Sequence, residues 1–246
     1  MSKTLKIKNK SSFVKNFLSP ISKISDASIL EVNGSMLSCL TCTADNSVYY
    51  HVEYPIESDI VDVKTLNCPD IKKLIKALDT ISTDDFSFEL EENNLSYKDS
   101  KIRFKYHLQE DGIIKSPKMS LNRLRDTEFN SSFSIKKETV RELVKGSVFS
   151  SESNKIYLFG NVNDGIHGEL TDKTRNNIDT ISLQISESFF GDSVDSLPLN
   201  FEIFRIIDIS NIDEIRVKIN VKLGLVLFEI ENNYNKMKYI MSSLIK

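Results

Sequence analysis

The order of hydrophobic and polar positions occurs twice along this chain. Near residue 4 a short alternating stretch, TLKIK, is followed by an amphipathic stretch and then by a run of further alternating stretches. The same order returns near residue 131, where FSIKKETVRELVKGSVF opens the second copy. A repeat of about half the chain is too long for a solenoid, whose repeats span roughly 20 to 50 residues. The pattern therefore predicts a duplicated domain.

The first copy is predicted to be a meander of antiparallel strands, because its apolar positions recur with a period of two. Its opening strand, residues 4–8, precedes a helix that should begin at Ser11 or Ser12 and end at Pro20. Asn33-Gly34 marks a tight hairpin turn. Further strands are expected at residues 26–34, 36–43, 47–54, 60–66, 86–92, 95–100 and 101–108.

The second copy follows the same plan. A strand at residues 129–136 precedes a helix at 137–148, and after a polar loop a second short helix is expected at 204–211. The alternating pattern predicts further strands at residues 154–162, 165–172, 179–186, 214–222, 225–232 and 236–245.

Residues 109–127 separate the two copies. They have no clear period and contain Gly112 and Pro117, so they predict an extended connector. The fold class is therefore α+β, with two similar domains at residues 1–108 and 128–246. Each should consist of antiparallel sheets with two short helices on one face.

The segment NCPDIKKLIKALDT gives the sharpest local signal. Its period changes from two to 3.6, with Pro69 in the first turn and Asp70 at the positive end of the helix dipole. On a helical wheel one side is apolar and the opposite side is basic. The apolar side carries Ile71, Leu74, Ile75 and Leu78, and the basic side carries Lys72, Lys73 and Lys76. One face should pack on a sheet while the other presents positive charge.

The other predicted helices also carry cations on their outer faces. These cations are Lys15, Arg141, Lys145 and Arg205. Lysines on the outside of any single helix are common, but here many carboxylates, such as Glu89 and Asp192, lie on strands and loops instead. This separation predicts one positive surface, suited to phosphate contacts that do not depend on base sequence.

The overall composition gives no support to nucleic-acid binding but does not exclude it. The formal charge of −3 provides no overall attraction to nucleic acid, so any binding must come from local separation of charge. The 40% hydrophobic and 27% charged content is that of an ordinary globular protein. No stretch approaches the roughly 18 apolar residues of a membrane helix, and no signal peptide is visible, so we expect a cytoplasmic protein without membrane contact.

Candidate chemistry is sparse. Cys39 and Cys42 form a C-x-x-C, but their strand pattern points the thiols to opposite faces, which favours a structural role over a metal or redox pair. With Cys68 the cysteines are odd in number and predict no disulfide framework. Neither a Ser/His/Asp set, a Gly-rich phosphate loop nor H-E-x-x-H is visible, so we expect neither an enzyme nor a cofactor.

The element order, repeated across a long connector, resembles the DNA polymerase sliding clamps of T-even phages and the proliferating-cell nuclear antigen (PCNA). FVKNFLSPI resembles the first clamp helix, and NCPDIKKLIKALD resembles the second, with Lys73 and Lys76 at its DNA-facing lysines. KKETVRELVKG is similar to the third helix, with Arg141 at a basic position. GLVLFEIENNYNKMKYIMSSLI resembles the hairpin that closes the fold.

The resemblance implies a homotrimeric ring with six domains and twelve lining helices. Such a ring encircles double-stranded DNA, tethers the replicative DNA polymerase and is opened by a clamp loader. Strand 101–107 of one subunit would pair with strand 179–186 of the next. The implied DNA lining is Lys15, Lys72, Lys73, Lys76, Arg141, Lys145 and Arg205.

The resemblance also implies a pocket for partner peptides near the connector. Its candidates by position are Val48, Ile113, Ile114, Gly224 and Ile240, with the alternative that these are core or linker residues. The resemblance favours a phage, and hence the host cytoplasm, while a composition rich in Asn, Lys, Ile and Ser suggests an AT-rich genome. The alternative function is a β-rich structural or assembly protein that forms a ring without binding DNA, and an enzyme is the third possibility.

Overall fold

The structure is a computed structural model that describes residues 3–60, 64–150, 153–207, 209 and 212–244. The chain forms two compact units. Unit one comprises the residues up to Lys118 together with Glu231–Met237, and unit two comprises Met119–Ile230 together with the residues from Lys238 onward. The division lies inside the predicted connector, while the predicted domain boundaries at residues 108 and 127 remain predictions.

Unit one consists of antiparallel strands in two sheets and four helical segments. Its elements are β1 (Lys3–Ile7), α1 (Lys10–Phe13), a π-helical turn (Val14–Leu18), α2 (Ser19–Ile24), β2 (Ser28–Asn33), β3 (Met36–Cys42), β4 (Val48–Pro55), β5 (Glu57–Ser58), β6 (Lys64–Cys68), α3 (Ile71–Asp79), β7 (Phe86–Glu91), β8 (Asn94–Lys98) and β9 (Arg103–His107). One sheet has the order β5-β1-β7-β8-β9, and the other strands run β4-β3-β2-β6.

Unit two repeats this order element by element after a short additional helix, α4 (Leu121–Arg125). Its elements are β10 (Ser131–Lys136), α5 (Lys137–Gly146), β11 (Lys155–Asn161), β12 (Gly165–Leu170), β13 (Ile181–Ser186), β14 (Phe189–Gly191), β15 (Val194–Asn200), α6 (Glu202–Ile206), β16 (Glu214–Asn220), β17 (Leu225–Glu231) and β18 (Lys236–Ser242). The strands run β14-β10-β16-β17-β18 and β13-β12-β11-β15. The predicted α+β class with two similar, mostly antiparallel domains is confirmed.

Buried alternate positions explain why these segments are strands. In β3 every second residue is buried, which matches a period of two. The core of unit one also holds an aromatic group, in which the ring of Phe13 lies 5.4 Å from that of Phe17 and 5.3 Å from that of Tyr54, between centroids. These contacts fix the helical run against the sheet.

The start and end of the first helix were predicted wrongly. Asn9, in a left-handed conformation with φ of 61°, caps it by accepting the amide N–H of Ser12 through its side chain. Pro20 does not end the helix, because it lies at the first turn of α2, where a missing N–H is tolerated. The π-helical turn before it restarts the hydrogen-bond pattern, and the helical run continues to Ile24.

The polar loop predicted before the last helix was also wrong. It contains β14 and β15, and β15 pairs with β11 despite Pro198. The helix begins at Glu202, two residues before its predicted start. Residues 61–63, 208, 210–211 and 245, which belong to predicted elements, lie outside the described residues.

Candidate nucleic-acid interface

Helix α3 separates apolar and basic faces as its sequence predicts. Ile71, Leu74 and Leu78 are at most 1% exposed, and Lys72, Lys73 and Lys76 are all exposed. The side chain of Asp70 caps the helix by accepting the amide N–H of Lys73 at 2.8 Å. The buried face holds α3 against unit one, so its lysines project into solvent.

A buried tyrosine in β9 fixes the beginning of α3. The Tyr106 hydroxyl donates to the carbonyl oxygen of Asp70 at 2.8 Å and accepts the Asp70 amide N–H at 3.0 Å. Burial raises the pKa of Tyr106 well above its usual range, so the hydroxyl stays protonated. This double contact sets where the basic face of α3 points.

Replacing Tyr106 with phenylalanine should destabilise unit one without changing its charge. The substitution leaves the Asp70 amide and carbonyl without these partners, which costs about 1–3 kcal/mol for a buried polar group. Urea unfolding of Tyr106→Phe should show this loss. Tyr49→Phe is the control, because within the described residues the Tyr49 hydroxyl has no hydrogen-bond partner; equal stability of the two variants would contradict the assigned role.

The first helical run of unit one also presents a cation. Lys15 is exposed, while its neighbour Asn16 is 5% exposed. The carbonyl of Asn16 accepts a hydrogen bond from the side-chain amide of Asn235. In this unit α2 and the π-helical turn contact α3, so these helical segments lie side by side.

In unit two, α5 and α6 contact each other in the same way. Arg141 and Lys145 are exposed on α5, opposite the buried Val140 and Leu143. From α6 the guanidinium of Arg205 donates to Ser147 Oγ, just after α5, at 3.4 Å. Each unit thus groups its predicted cations on two adjacent helical segments.

Two of these cations are paired with carboxylates. Lys72 Nζ lies 2.7 Å from Asp26 Oδ1, and Arg205 Nη1 lies 2.9 Å from Glu202 Oε2. The carboxylate of Asp26 raises the pKa of Lys72. Across the described residues, no ion pair involves Lys73, Lys76, Arg141 or Lys145. These four charges are available to an external anion.

The predicted partner-pocket residues differ in exposure. Val48 is 2% exposed and Ile240 is fully buried, as expected of core residues. Ile113 is 59% exposed and Ile114 is half-buried. Gly224 has φ of 60°, and a Cβ there would clash with Ser243 Oγ, so a side chain at this position is disfavoured. In this conformation only the two connector isoleucines offer apolar side-chain surface.

Sequence reasoning missed two features. Lys23 is exposed in the last turn of α2, a turn concealed by the assumption that Pro20 ends the helix. Val148 and Phe149 are 75% and 61% exposed directly after α5. The apolar pair within the polar stretch GSVFSS was the available signal.

These exposed apolar residues lie beside a sheet edge. Ser150 Oγ donates to the carbonyl oxygen of Asp179 at 3.0 Å, which places the end of α5 near the beginning of β13. Strand β13 ends its sheet in unit two, and β9 ends its sheet in unit one. Such edges are sites where another chain can add a strand.

The three thiols are free and largely withdrawn from solvent. Cys39 and Cys68 are buried and Cys42 is half-buried, and all three are free. Burial raises the pKa of Cys68 to about 12, which disfavours the reactive thiolate. In the described part of the chain no three His, Cys, Asp or Glu side chains are grouped to hold a metal ion. A search of the same residues finds no helix long and apolar enough to cross a membrane.

Comparison with solved structures identifies the fold. PCNA from A. fulgidus, bound to the C-terminal region of FEN-1, aligns with a TM-score of 0.77 and 15% identity over 100% of this chain and 99% of its own. PCNA from Entamoeba histolytica aligns with a TM-score of 0.77 and 10% identity over 100% of both chains. PCNA from Thermococcus kodakaraensis aligns with a TM-score of 0.73 and 11% identity over 99% of this chain and 100% of its own. No protein-family model and no curated protein sequence matches the chain. The chain therefore has the PCNA-type clamp fold over its whole length.

Proposed function

We propose that this protein is a sliding clamp that encircles duplex DNA and tethers a DNA polymerase. The observation that carries the proposal is the repeated pair of basic helical segments, one pair in each unit, within a chain that has the clamp fold throughout. Lysines and arginines on these helices can contact phosphates, and phosphate contacts carry no base preference. A contact of this kind holds DNA in any register and therefore permits sliding.

Self-assembly would close the ring. Strands β9 and β13 are both sheet edges, and pairing β9 of one subunit with β13 of the next would satisfy their unpaired backbone groups. Three subunits would then present six domains and twelve helices around the hole. Because the two units repeat the same element order, a duplex inside would meet similar basic helices in every direction.

Charge is expected to be divided between the two sides of the ring. The whole chain is acidic, with a formal charge of −3, while the proposed lining includes four cations, Lys73, Lys76, Arg141 and Lys145, that form no ion pair within the described residues. An acidic exterior weakens adventitious binding to nucleic acid, and a basic interior retains the duplex once it is enclosed. Binding strength would come from topology, and the individual contacts can stay weak.

Partner proteins would bind through short segments. One structural neighbour, PCNA from A. fulgidus, is bound to the C-terminal region of FEN-1. By analogy, the polymerase and the clamp loader would bind this chain near the exposed Ile113 and the half-buried Ile114 of unit one. The protein would act without catalysis of its own, in the host cytoplasm if its source is a phage.

Light scattering and electron microscopy test the assembly. We expect a species of about 84 kDa, three times 28.1 kDa, and images of a ring with a central hole. A strict monomer at every concentration would contradict the proposal. A ring that fails to retain nicked circular DNA in the presence of a loader would favour the alternative, a structural ring protein.

A further inference from the structure

We propose that Asp26 and Glu202 are internal counter-ions that compete with DNA phosphates for Lys72 and Arg205 and so keep the hold on DNA weak enough for sliding. This inference rests on the proposed function, because it assumes that the basic helical face meets DNA. It concerns one carboxylate in each unit, Asp26 in the turn after α2 and Glu202 at the beginning of α6.

In unit one the geometry fixes Asp26 at the beginning of α3. Its carbonyl oxygen accepts the amide N–H of Ile71 at 2.8 Å, and its carboxylate contacts Lys72 Nζ at 2.7 Å. Both side chains are well exposed, Lys72 at 61% and Asp26 at 71%. The backbone contact holds the carboxylate next to a cation on the basic face, while solvent can still reach both groups.

In unit two, where the arrangement differs because both partners lie on α6, the carboxylate belongs to Glu202. It contacts Arg205 one turn along α6, at 2.9 Å, with side-chain exposures of 45% and 40%. The guanidinium also donates to Asn154 Oδ1 at 3.3 Å and stacks over the ring of Phe201, 5.0 Å from its centroid. Arg205 therefore stays oriented when its carboxylate partner is removed.

Other acidic residues of the helices are not paired with a cation on the basic faces. Glu138 and Glu142 on α5 and Asp79 at the end of α3 form no ion pair within the described residues. Within the described residues Lys73 and Lys76 in unit one and Arg141 and Lys145 in unit two form no ion pair, while Lys72 and Arg205 each pair with a carboxylate. Exposed ion pairs are weak and exchange readily with other ions. A DNA phosphate can therefore displace the carboxylate from the cation, and the carboxylate can rebind the cation when the phosphate moves on. This exchange would lower the net attraction per subunit without removing a cation.

The test uses Asp26→Asn and Glu202→Gln, singly and combined, in the full-length protein. Asparagine keeps the backbone contact of Asp26, and glutamine keeps the length of Glu202, so only the negative charge is lost. Binding to a short fluorescein-labelled duplex with open ends is followed by anisotropy over a range of salt concentrations. Glu92→Gln is the control, because Glu92 is an exposed turn residue of unit one without an ion pair in the described chain.

Each substitution should tighten binding by about three- to tenfold at about 0.1 M salt, since one added phosphate contact contributes about a factor of ten there. The slope of log K against log salt should steepen by about one for each cation released. Glu92→Gln should change binding less than twofold. Thermal unfolding midpoints close to wild type would show that all variants are folded.

Two outcomes would overturn the inference in distinguishable ways. If Asp26→Asn and Glu202→Gln bind like Glu92→Gln, while Lys73→Glu with Lys76→Glu weakens binding, the counter-ion role is wrong and the DNA lining stands. If the lysine variant also binds like wild type, the lining itself is wrong and the inference fails with it.

Discussion

Replacing both Lys73 and Lys76 with glutamate is expected to abolish most retention on DNA. The two lysines project from the exposed face of α3 and form no ion pair within the described residues, so each is free to contact a phosphate. Counter-ion release contributes about a factor of ten per phosphate contact at about 0.1 M salt, so the loss of two contacts should weaken binding about a hundredfold. Polymerase processivity on nicked circular DNA should fall with it.

The matched control reverses the charge of two lysines that lie outside the helices. Lys98 is exposed at the end of β8 and Lys222 is exposed in the turn between β16 and β17, and neither forms an ion pair in the described chain. Changing both to glutamate alters the net charge equally, yet should leave binding within about twofold of wild type, because charges separated by more than a Debye length of about 10 Å are screened. Unchanged processivity of the α3 variant, or an equal loss in the control, would refute the lining assignment.

Replacing Phe149 with aspartate is expected to disperse the ring into 28.1 kDa subunits. Phe149 is 61% exposed beside β13, the edge proposed to receive the neighbouring β9, so assembly would cover it. Burial of a phenylalanine contributes about 1.5–3 kcal/mol, which corresponds to about a ten- to hundredfold weaker interface. Sedimentation over a range of concentrations would reveal the shift from 84 kDa to the monomer.

The exposed position of Phe149 makes this test specific to assembly. Its substitution should leave the unfolding of the isolated subunit unchanged, since it contributes little to the core. Val162, which is 59% exposed in the turn between β11 and β12, provides a control of similar exposure. If Val162→Asp disperses the ring as readily as Phe149→Asp, the effect is nonspecific, and if neither does, the edge near β13 is not the interface.

Periodicity predicted most of the elements correctly because side-chain burial alternates regularly where one face of a strand is covered. The strand from Met36 to Cys42 buries every second residue, and the helix from Ile71 to Asp79 likewise buries one face at the helical period of 3.6. The prediction for the segment before α6 was wrong because β14 has only three residues and ends at Gly191, while β15 contains Pro198, so local signals indicate a loop. Their strand conformation comes from pairing with β10 and β11, which are distant in sequence.

The helix boundary predicted at Pro20 was wrong for a similar reason, because contacts distant in sequence override a local rule. Proline disfavours a helix interior, and local rules therefore end the helix there. The π-helical turn over Val14–Leu18 instead places Pro20 in a first turn. The side chain of Asn235, more than two hundred residues away, donates to the carbonyl of Asn16 within that turn. No local pattern could indicate such a contact.

The sequence alone determined the duplication, the α+β class and the basic faces of the helices, because each depends on residue spacing within one element. Tertiary structure decided which cations are available, since pairing Lys72 with Asp26 requires the turn after α2 to meet the first turn of α3. It likewise revealed that Val48 and Ile240 are buried while Phe149 is exposed. Burial depends on what packs over a side chain, and the repeat near residues 4 and 131 specifies the elements without specifying those neighbours.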